Sequence, residues 1–379
     1  MKGIVFINQV TGYLMKDVIN EFCKDYDDVA LIAGKISDTG PGLDPKVGIS
    51  MICPYRKESP ARRLLSWLWA TIQATVIINL KYRRHHIFIT SNPPTLAFLP
   101  WFCRNRYSVL IYDIYPDGLI AGGFLNKTSI LARIWRKRNR KYFENAANIF
   151  TLTDSMADTL SKYIKRDRIK VIPPWSMFDK SSKIEKQNNL FIDEYALRDK
   201  FIVMYSGNIG LGHSVESIVE VARILSKERD VIFVIIGEGW NKPMIAQKVK
   251  DYHLTNCLIL PFQPADKLKF SLSAADLGVV SVSSAGSRVC APSKTYNLIS
   301  LNVPLLAIAD ADTELALVVE ANRIGRVFKN DQIEKMADFI LDLKNSKIAL
   351  DHMINNISKC SEKYTRANAK DYLFHFNPN

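Results

Sequence analysis

The sequence predicts an α/β protein of two doubly wound domains. Three observations predict it: the chain length, the alternation of short apolar runs with helical stretches, and one polar break near the middle. At 379 residues, and with roughly 150 residues per domain, the prior is two domains, each able to bury its own core. An apolar fraction of 47% with 23% charged residues is ordinary globular composition and excludes a mostly disordered chain.

Taken in order, GIVFIN, VALIAG, HIFITS, VLIYDI, IFTLT and IKVIP read as strands in the first half, separated by helical patterns such as 130–145. FIVMYSG, VIFVIIG, LILPF, LGVVSV and VPLLAIA do the same in the second half. Runs this short and this continuously apolar suit parallel strands covered on both faces. The stretch 173–197 carries two prolines and then SSKIEKQNN, polar and without periodicity, and reads as a linker. It separates a domain at 1–172 from one at 198–359. No repeat of solenoid length is present.

The charge is unevenly placed. Residues 1–180 hold 27 basic and 15 acidic side chains, whereas 181–379 hold 24 and 23. Residues 51–141 alone hold 16 basic and 3 acidic, which equals the whole-chain excess of +13. A basic first domain implies a polyanion or an anionic membrane as partner, unless the excess serves only solubility. Six scattered cysteines without a CxxC pair or metal-ligand spacing argue against a disulfide scaffold or a zinc module. The opening MKGIVFIN reads as a buried strand and not a signal peptide, so a cytosolic location is expected.

One segment, LLSWLWATIQATVIINL from Leu64 to Leu80, runs for 17 residues without a formal charge. It sits at the lower edge of spanning length and is interrupted by Ser66, Gln73 and Asn79. Two readings stay open: a buried helix feeding the strand His86–Thr90, or a helix in the membrane interface with Trp67 and Trp69 at headgroup level.

In open parallel sheets, ligands bind beyond the carboxyl ends of the strands. The loops to inspect are therefore NQVTGY with Gly12, SNPP at 91–94, DIYPDG at 113–118, GNIGLG at 207–212, GEG at 237–239 and the stretch 281–297. GNIGLG precedes a helix, where glycines admit a ligand to the backbone and unpaired N–H groups attract phosphate. It matches GxGxxG imperfectly, and a plain strand-to-helix turn is the alternative. Arg288 and Lys294, six positions apart before a helix, could neutralise a diphosphate, Arg bidentately and Lys as a point charge. Two solvated surface cations are the alternative.

At this point a resemblance becomes specific. PSKTYNLISLNVPLLA, 292–307, resembles the PSK-x-Y-[NE]-x-L-A-x-G-x-P-V-L-A signature of family 4 retaining glycosyltransferases, closest to the bacterial capsule, O-antigen and colanic-acid branch. MYSGNIGLGHSVESIVEVARIL resembles the start of that family's donor domain, and GEG, SAADLGVVSV and ADADTELALVVE follow in the expected order. In the first half, YDIYPDGLIAGG resembles the branch's D-[LI]-[WY]-P-D segment. The resemblance spans about 90–330. It implies the GT-B fold, two facing Rossmann-like domains with a cleft between them, the residues from about 360 to 379 returning to the first.

Carried over residue by residue, the resemblance implies that Gly210 and its backbone approach the donor diphosphate, with Arg288 and Lys294 holding its charge. Glu238 and Gly239 would contact the nucleotide, with Phe262 and Gln263 near the base. Thr313 and Glu314 would contact donor sugar or diphosphate at a helix start, and Gly12 and Tyr13 would close over the donor from the first domain. The sequence also departs from the family. The Arg and Lys of its GRL-x3-KG pattern are replaced by Asn208 and His213, and its E-x7-E pair by Val289 and Asn297. Asn297 can still hydrogen-bond a hydroxyl. Asn302 replaces a usual glycine and tolerates a left-handed turn.

The implied enzyme is a retaining, metal-independent glycosyltransferase with no cofactor beyond its nucleotide-sugar substrate. Electrostatic stabilisation of the departing diphosphate should carry most of the rate, with Arg288 and Lys294 in that role. Asp113 or Asp117 would orient or deprotonate the acceptor hydroxyl. A structural turn residue is the other reading of Asp113. The implied donor is a UDP-linked N-acetylated hexose or deoxyhexose, and the acceptor a lipid-diphosphate-linked saccharide on the inner membrane face, met by an anionic membrane surface on the basic domain. A non-catalytic subunit of the same fold is a second reading. A nucleic-acid-binding protein is a third, without the motifs that would accompany it.

Overall fold

A computed structural model describes residues 3–56, 58–210, 214–283, 286, 288–289 and 291–377. The chain forms two compact units: Met1–Met177 with Arg288–Ala291 and Arg366–Asn379, and Phe178–Ser287 with Pro292–Thr365.

The first unit is built on β1 (Gly3–Ile7), β3 (Asp28–Ala33), β5 (Gly48–Met51), β6 (His86–Thr90), β7 (Tyr107–Ile111), β8 (Ile149–Thr151) and β9 (Ile169–Val171), with a two-residue ladder of β2 (Val10–Thr11) and β4 (Lys35–Ile36) beside it. The large sheet runs β5-β3-β1-β6-β7-β8-β9, every pair parallel. Ile4 to Ile7 are all buried because helices cover both faces. Phe6, Phe22 and Phe88 form an aromatic centre with ring centroids 5.1 to 5.8 Å apart, and Phe376 packs on Phe22 at 5.0 Å. Asp17, buried on the helix Tyr13–Phe22, accepts a hydrogen bond from Trp175 Nε1 at 2.9 Å and an ion pair from Arg366 at 3.1 Å. One carboxylate thus ties residue 175 and the C-terminal segment to the first helix.

The second unit contains β10 (Phe201–Ser206), β11 (Val231–Ile236), β12 (Cys257–Leu260), β13 (Leu277–Ser281), β14 (Leu305–Ile308) and β15 (Gly325–Phe328). Their order, β12-β11-β10-β13-β14-β15, is the 3-2-1-4-5-6 arrangement of a Rossmann sheet. The period-2 alternation of strands sorts side chains between two cores: Ile202 and Met204 enter one, Val203 and Tyr205 the other.

Each apolar run of the sequence contains a strand. The sequence reading missed the two-residue strands β2 and β4 and the four-residue edge strands β5 and β15, in each of which a single residue, Ser50 or Phe328, is buried, so their runs are too weakly apolar to register. The expected linker at 173–197 differs more. Trp175 is fully buried in the first unit, and the helix Leu190–Glu194 places Phe191 and Ile192 in the core of the second. The polar letters SSKIEKQNN form two short 3-10 turns before it. The apolar segment of the first half becomes the helix Pro60–Lys81, capped by Ser59. It packs Ser66, Trp67, Ala70, Thr71, Ala74 and Ile78 inward and leaves Leu65, Leu68, Trp69 and Ile72 exposed.

Asp17→Ala strands the buried Trp175 N–H, so it should lower stability by about 2 kcal/mol and expose the C-terminal segment to proteolysis. Urea denaturation and limited proteolysis measure both.

Candidate functional site

The order of the second sheet places its switch point between β10 and β13, where the chain leaves in opposite directions and a crevice opens beyond the strand ends. The loop after β10 begins at Gly207 and is pinned on both sides. Ile209 N–H donates to Glu238 O at 2.9 Å, Asn241 N–H to Ile209 O at 3.0 Å, and Tyr205 Oη to Asn208 O at 2.6 Å. The glycines that permit this are in the neighbouring loop. A Cβ on Gly237 would lie 1.9 Å from Gly207 O, and one on Gly239 2.4 Å from Ile209 O. Both glycines have positive φ, +154° and +155°.

Lys294 sits against this loop. It lies in the first turn of the helix Ser293–Ser300, and a Cβ on Gly207 would be 2.8 Å from its Nζ. The ammonium donates to Tyr205 Oη at 3.1 Å and lies 4.3 Å from that ring's centroid. No carboxylate pairs with it among the described residues, and burial lowers its pKa to about 8. Asn297 lies one turn further along the same helix face.

The other expected donor contacts fall into two groups. Phe262 and Gln263 follow β12, with the Phe262 ring about half exposed and Gln263 donating to Pro261 O at 3.2 Å. Glu238 and Thr313, by contrast, are engaged locally. The Glu238 carboxylate pairs with Lys242 at 2.6 Å. Thr313 caps the helix Glu314–Asn322, accepting from Ala316 N–H and donating to Asp310 O at 2.7 Å. Thr313 thereby shapes the helix start at Glu314. Gly210 closes the described part of the β10 loop; His213 lies outside the described residues.

Arg288 falls in a different compact unit from Lys294. The segment Arg288–Ala291 belongs to the first unit, because Val289 is apolar, is buried in that core and accepts a hydrogen bond from Ile114 N–H at 3.0 Å. Arg288 is therefore part of the first unit, on a segment hydrogen-bonded to its 113–118 loop.

In the first unit, Asp113 and Asp117 have different surroundings. Asp117 accepts a hydrogen bond from Tyr163 Oη. Asp113 has its backbone N–H bonded to Ser91 Oγ at 3.0 Å, but its carboxylate has no protein partner among the described residues. Burial raises its pKa to about 6. It lines a cavity of about 30 Å³ with Thr90, Ser91, Tyr115, Trp135 and Asn139, room for about one water. The indole N–H of Trp135 is buried there without a partner. The Gly12–Tyr13 pair opens the helix Tyr13–Phe22; Tyr13 Oη donates to Trp175 O at 2.9 Å, and nothing lies within 4 Å of a Cβ built on Gly12. Ser91 lies in the SNPP loop singled out above, whereas Tyr205 and Trp135 escaped the sequence reading. Tyr205 and Trp135 sit inside apolar patterns that look like ordinary core. Among the described residues, no group of three or more His, Cys, Asp or Glu side chains could hold a metal ion.

The two parallel-sheet Rossmann-like units have the GT-B fold. Residues 187–359 match the family model "Glycosyl transferases group 1", so the chain carries a group 1 glycosyl transferase domain. It is similar to the probable glycosyltransferase WbjE of Pseudomonas aeruginosa, 23% identical over 331 residues that cover 83% of this chain and 81% of WbjE. It is also similar to WcaI of Escherichia coli K12, named as a glycosyl transferase of colanic acid biosynthesis: 27% identical, covering 60% of this chain and 57% of WcaI. The crystal structure of Anabaena HepE in complex with UDP-glucose shares the fold, with a TM-score of 0.73 at 11% identity over 99% of this chain and 98% of HepE.

Gly239→Ala should lower stability by roughly 1–3 kcal/mol and speed hydrogen exchange at the Ile209 amide. Gly12→Ala, whose added Cβ meets nothing, should change neither. Thermal unfolding and exchange mass spectrometry test the pair.

Proposed function

We propose that the protein is a retaining, metal-independent glycosyltransferase. It moves a sugar, an N-acetylated hexose or deoxyhexose, from a UDP-sugar to a lipid-diphosphate-linked saccharide in surface polysaccharide synthesis. It does so as a peripheral protein on the cytoplasmic face of the plasma membrane. One observation carries the reading: an ammonium held at the switch point of the group 1 domain with no carboxylate beside it among the described residues. A cation so placed lacks an anion, and a nucleoside diphosphate supplies one. UDP as the leaving group is supported by the UDP-glucose bound to HepE, and polysaccharide synthesis by the name of WcaI.

In this reading Lys294 and the backbone of Asn208 to Gly210 meet the diphosphate, and Arg288 keeps the charge-holding role expected of it. Phe262 stacks on the base and Gln263 bonds its edge. Gly239 gives backbone access to the nucleotide, and Asn297 bonds a hydroxyl. The acceptor oxygen bonds to the anomeric carbon on the face that UDP leaves. The bond from that carbon to the phosphate oxygen breaks with its electron pair going to UDP, and the acceptor proton goes to Asp113. Asp113 is favoured over Asp117 because its carboxylate has no partner among the described residues and its pKa of about 6 suits a base near neutrality. The basic first unit meets anionic headgroups.

A panel of UDP- and GDP-sugars, screened by melting temperature and then by transfer to a lipid-linked acceptor with and without chelator, tests the reading. Stabilisation and transfer restricted to UDP-sugars, an axial product from an axial donor and indifference to chelator support it. A protein that binds donors without turning any over contradicts it.

Two further outcomes are expected. Lys294→Met should reduce transfer by about 10²–10³-fold while leaving the melting temperature of the unliganded protein near that of the wild type. The pH profile of kcat/KM should be bell-shaped. Asp113 is an ionised base only above about 6, so activity falls as pH drops through that value. Lys294 is a cation only below about 8, so activity falls again as pH rises through it. Lys294→Arg should remove the alkaline limb.

A further inference from the structure

The helix Pro60–Lys81 has two unlike apolar faces. The inner one is packed into the first unit: Ala70, Ala74 and Ile78 belong to its core, and Thr71 Oγ1 lies 2.7 Å from Thr95 Oγ1. The outer one carries Leu65, Leu68, Trp69, Ile72 and Val76, each between 44% and 65% exposed. Their spacing of three and four residues makes one stripe along a helix about 33 Å long. Soluble proteins rarely leave so long an apolar stripe open.

The stripe continues onto neighbouring elements. At its far end Asn79 Nδ2 donates to Phe102 O at 3.0 Å, and Phe102 and Trp101 are both exposed. At its near end the Arg63 guanidinium lies 5.3 Å from the ring of exposed Phe124. Exposed Ile130, Leu131 and Ile134 lie on the helix Ile130–Glu144, whose Arg138 lies 4.0 Å over Trp101. The charge around this apolar surface is almost all of one sign: Arg62 and Arg63 at one end, Lys81, Arg83 and Arg84 at the other.

We infer that this face inserts shallowly into an anionic lipid bilayer, with the helix lying in the plane of the membrane. The proposal rests on the membrane-surface reading above and deepens it from electrostatic contact to apolar insertion. The helix is long and apolar enough to span, but spanning would tear its inner face from the core. In-plane insertion keeps that face packed and gives the outer stripe an apolar medium, while the flanking cations reach headgroup phosphates. A second copy of the chain would set these cations against one another. Lipid is the occupant that satisfies both the stripe and its rim.

The test is flotation of the full chain with phosphatidylcholine vesicles and with vesicles containing phosphatidylglycerol. It is run at low salt and at about 1 M salt, where charges are screened within roughly 3 Å. The wild type should bind the anionic vesicles and stay partly bound at high salt. Leu65→Glu with Ile72→Glu, both at exposed positions, should weaken binding roughly tenfold or more and leave UDP affinity and melting temperature unchanged. Brominated lipid should quench the wild-type tryptophan emission more than that of Trp69→Phe. Complete release at high salt, equal binding by the double variant, or quenching indifferent to Trp69 would overturn the insertion. So would a dimer that the double variant splits. Loss of sugar transfer with insertion intact would instead count against the enzymatic reading alone.

Discussion

An ammonium group set against a glycine backbone and held, among the described residues, by a tyrosine is the constraint around which the second unit is organised. Taking a cation out of water is costly unless something answers its charge. Lys294 has the Tyr205 ring and hydroxyl, and that hydroxyl in turn fixes Asn208 O. The same contact that steadies the lysine therefore steadies the loop that faces the crevice. Burial holds the lysine pKa near 8, so its charge is poised to rise when an anion arrives. Gly207 leaves room for the ammonium, and Gly237 and Gly239 let the next loop close behind it. Larger residues at any of these positions would move the cation or the loop.

The sheets were readable because their strands are covered on both faces, so each is a nearly unbroken apolar run bounded by turn residues. The glycine-rich loops were readable as a pattern, but their division of labour was not. GNIGLG reads as the place of close backbone approach to a ligand, and among the described residues it is Gly237 and Gly239 of GEG that come closest to the backbone of that loop. The left-handed turn expected at Asn302 is present, with φ +52°. Edge strands β5 and β15 left too little apolar signal, and the polar letters before residue 190 concealed Phe191 and Ile192.

Within the candidate site, sequence could name residue types but not their surroundings. Asp113 and Asp117 look alike in DIYPDG; burial around Asp113 and the Tyr163 hydroxyl on Asp117, 46 residues away, separate their chemistry. Arg288 and Lys294 look like a pair six positions apart, yet Val289 draws Arg288 into a different compact unit. Thr313, expected as a ligand contact, also caps the helix Glu314–Asn322. The ambiguity of the segment 64–80 has a similar origin. A helix with one face in a core and another open carries apolar residues all round, so its sequence lacks the polar face that marks an ordinary amphipathic helix. The concentration of charge in 51–141 is legible at once, but only the folded unit places it around an open apolar stripe.

The central claim is that Lys294 answers the charge of the donor diphosphate. Proton uptake on UDP binding tests it most directly, measured by titration calorimetry above pH 8 in buffers of different ionisation enthalpy. A lysine with a pKa near 8 in the free protein should take up protons as the diphosphate raises its pKa, and Lys294→Met should abolish that uptake. UDP binding with no proton uptake, or with the same uptake in Lys294→Met, would contradict the account.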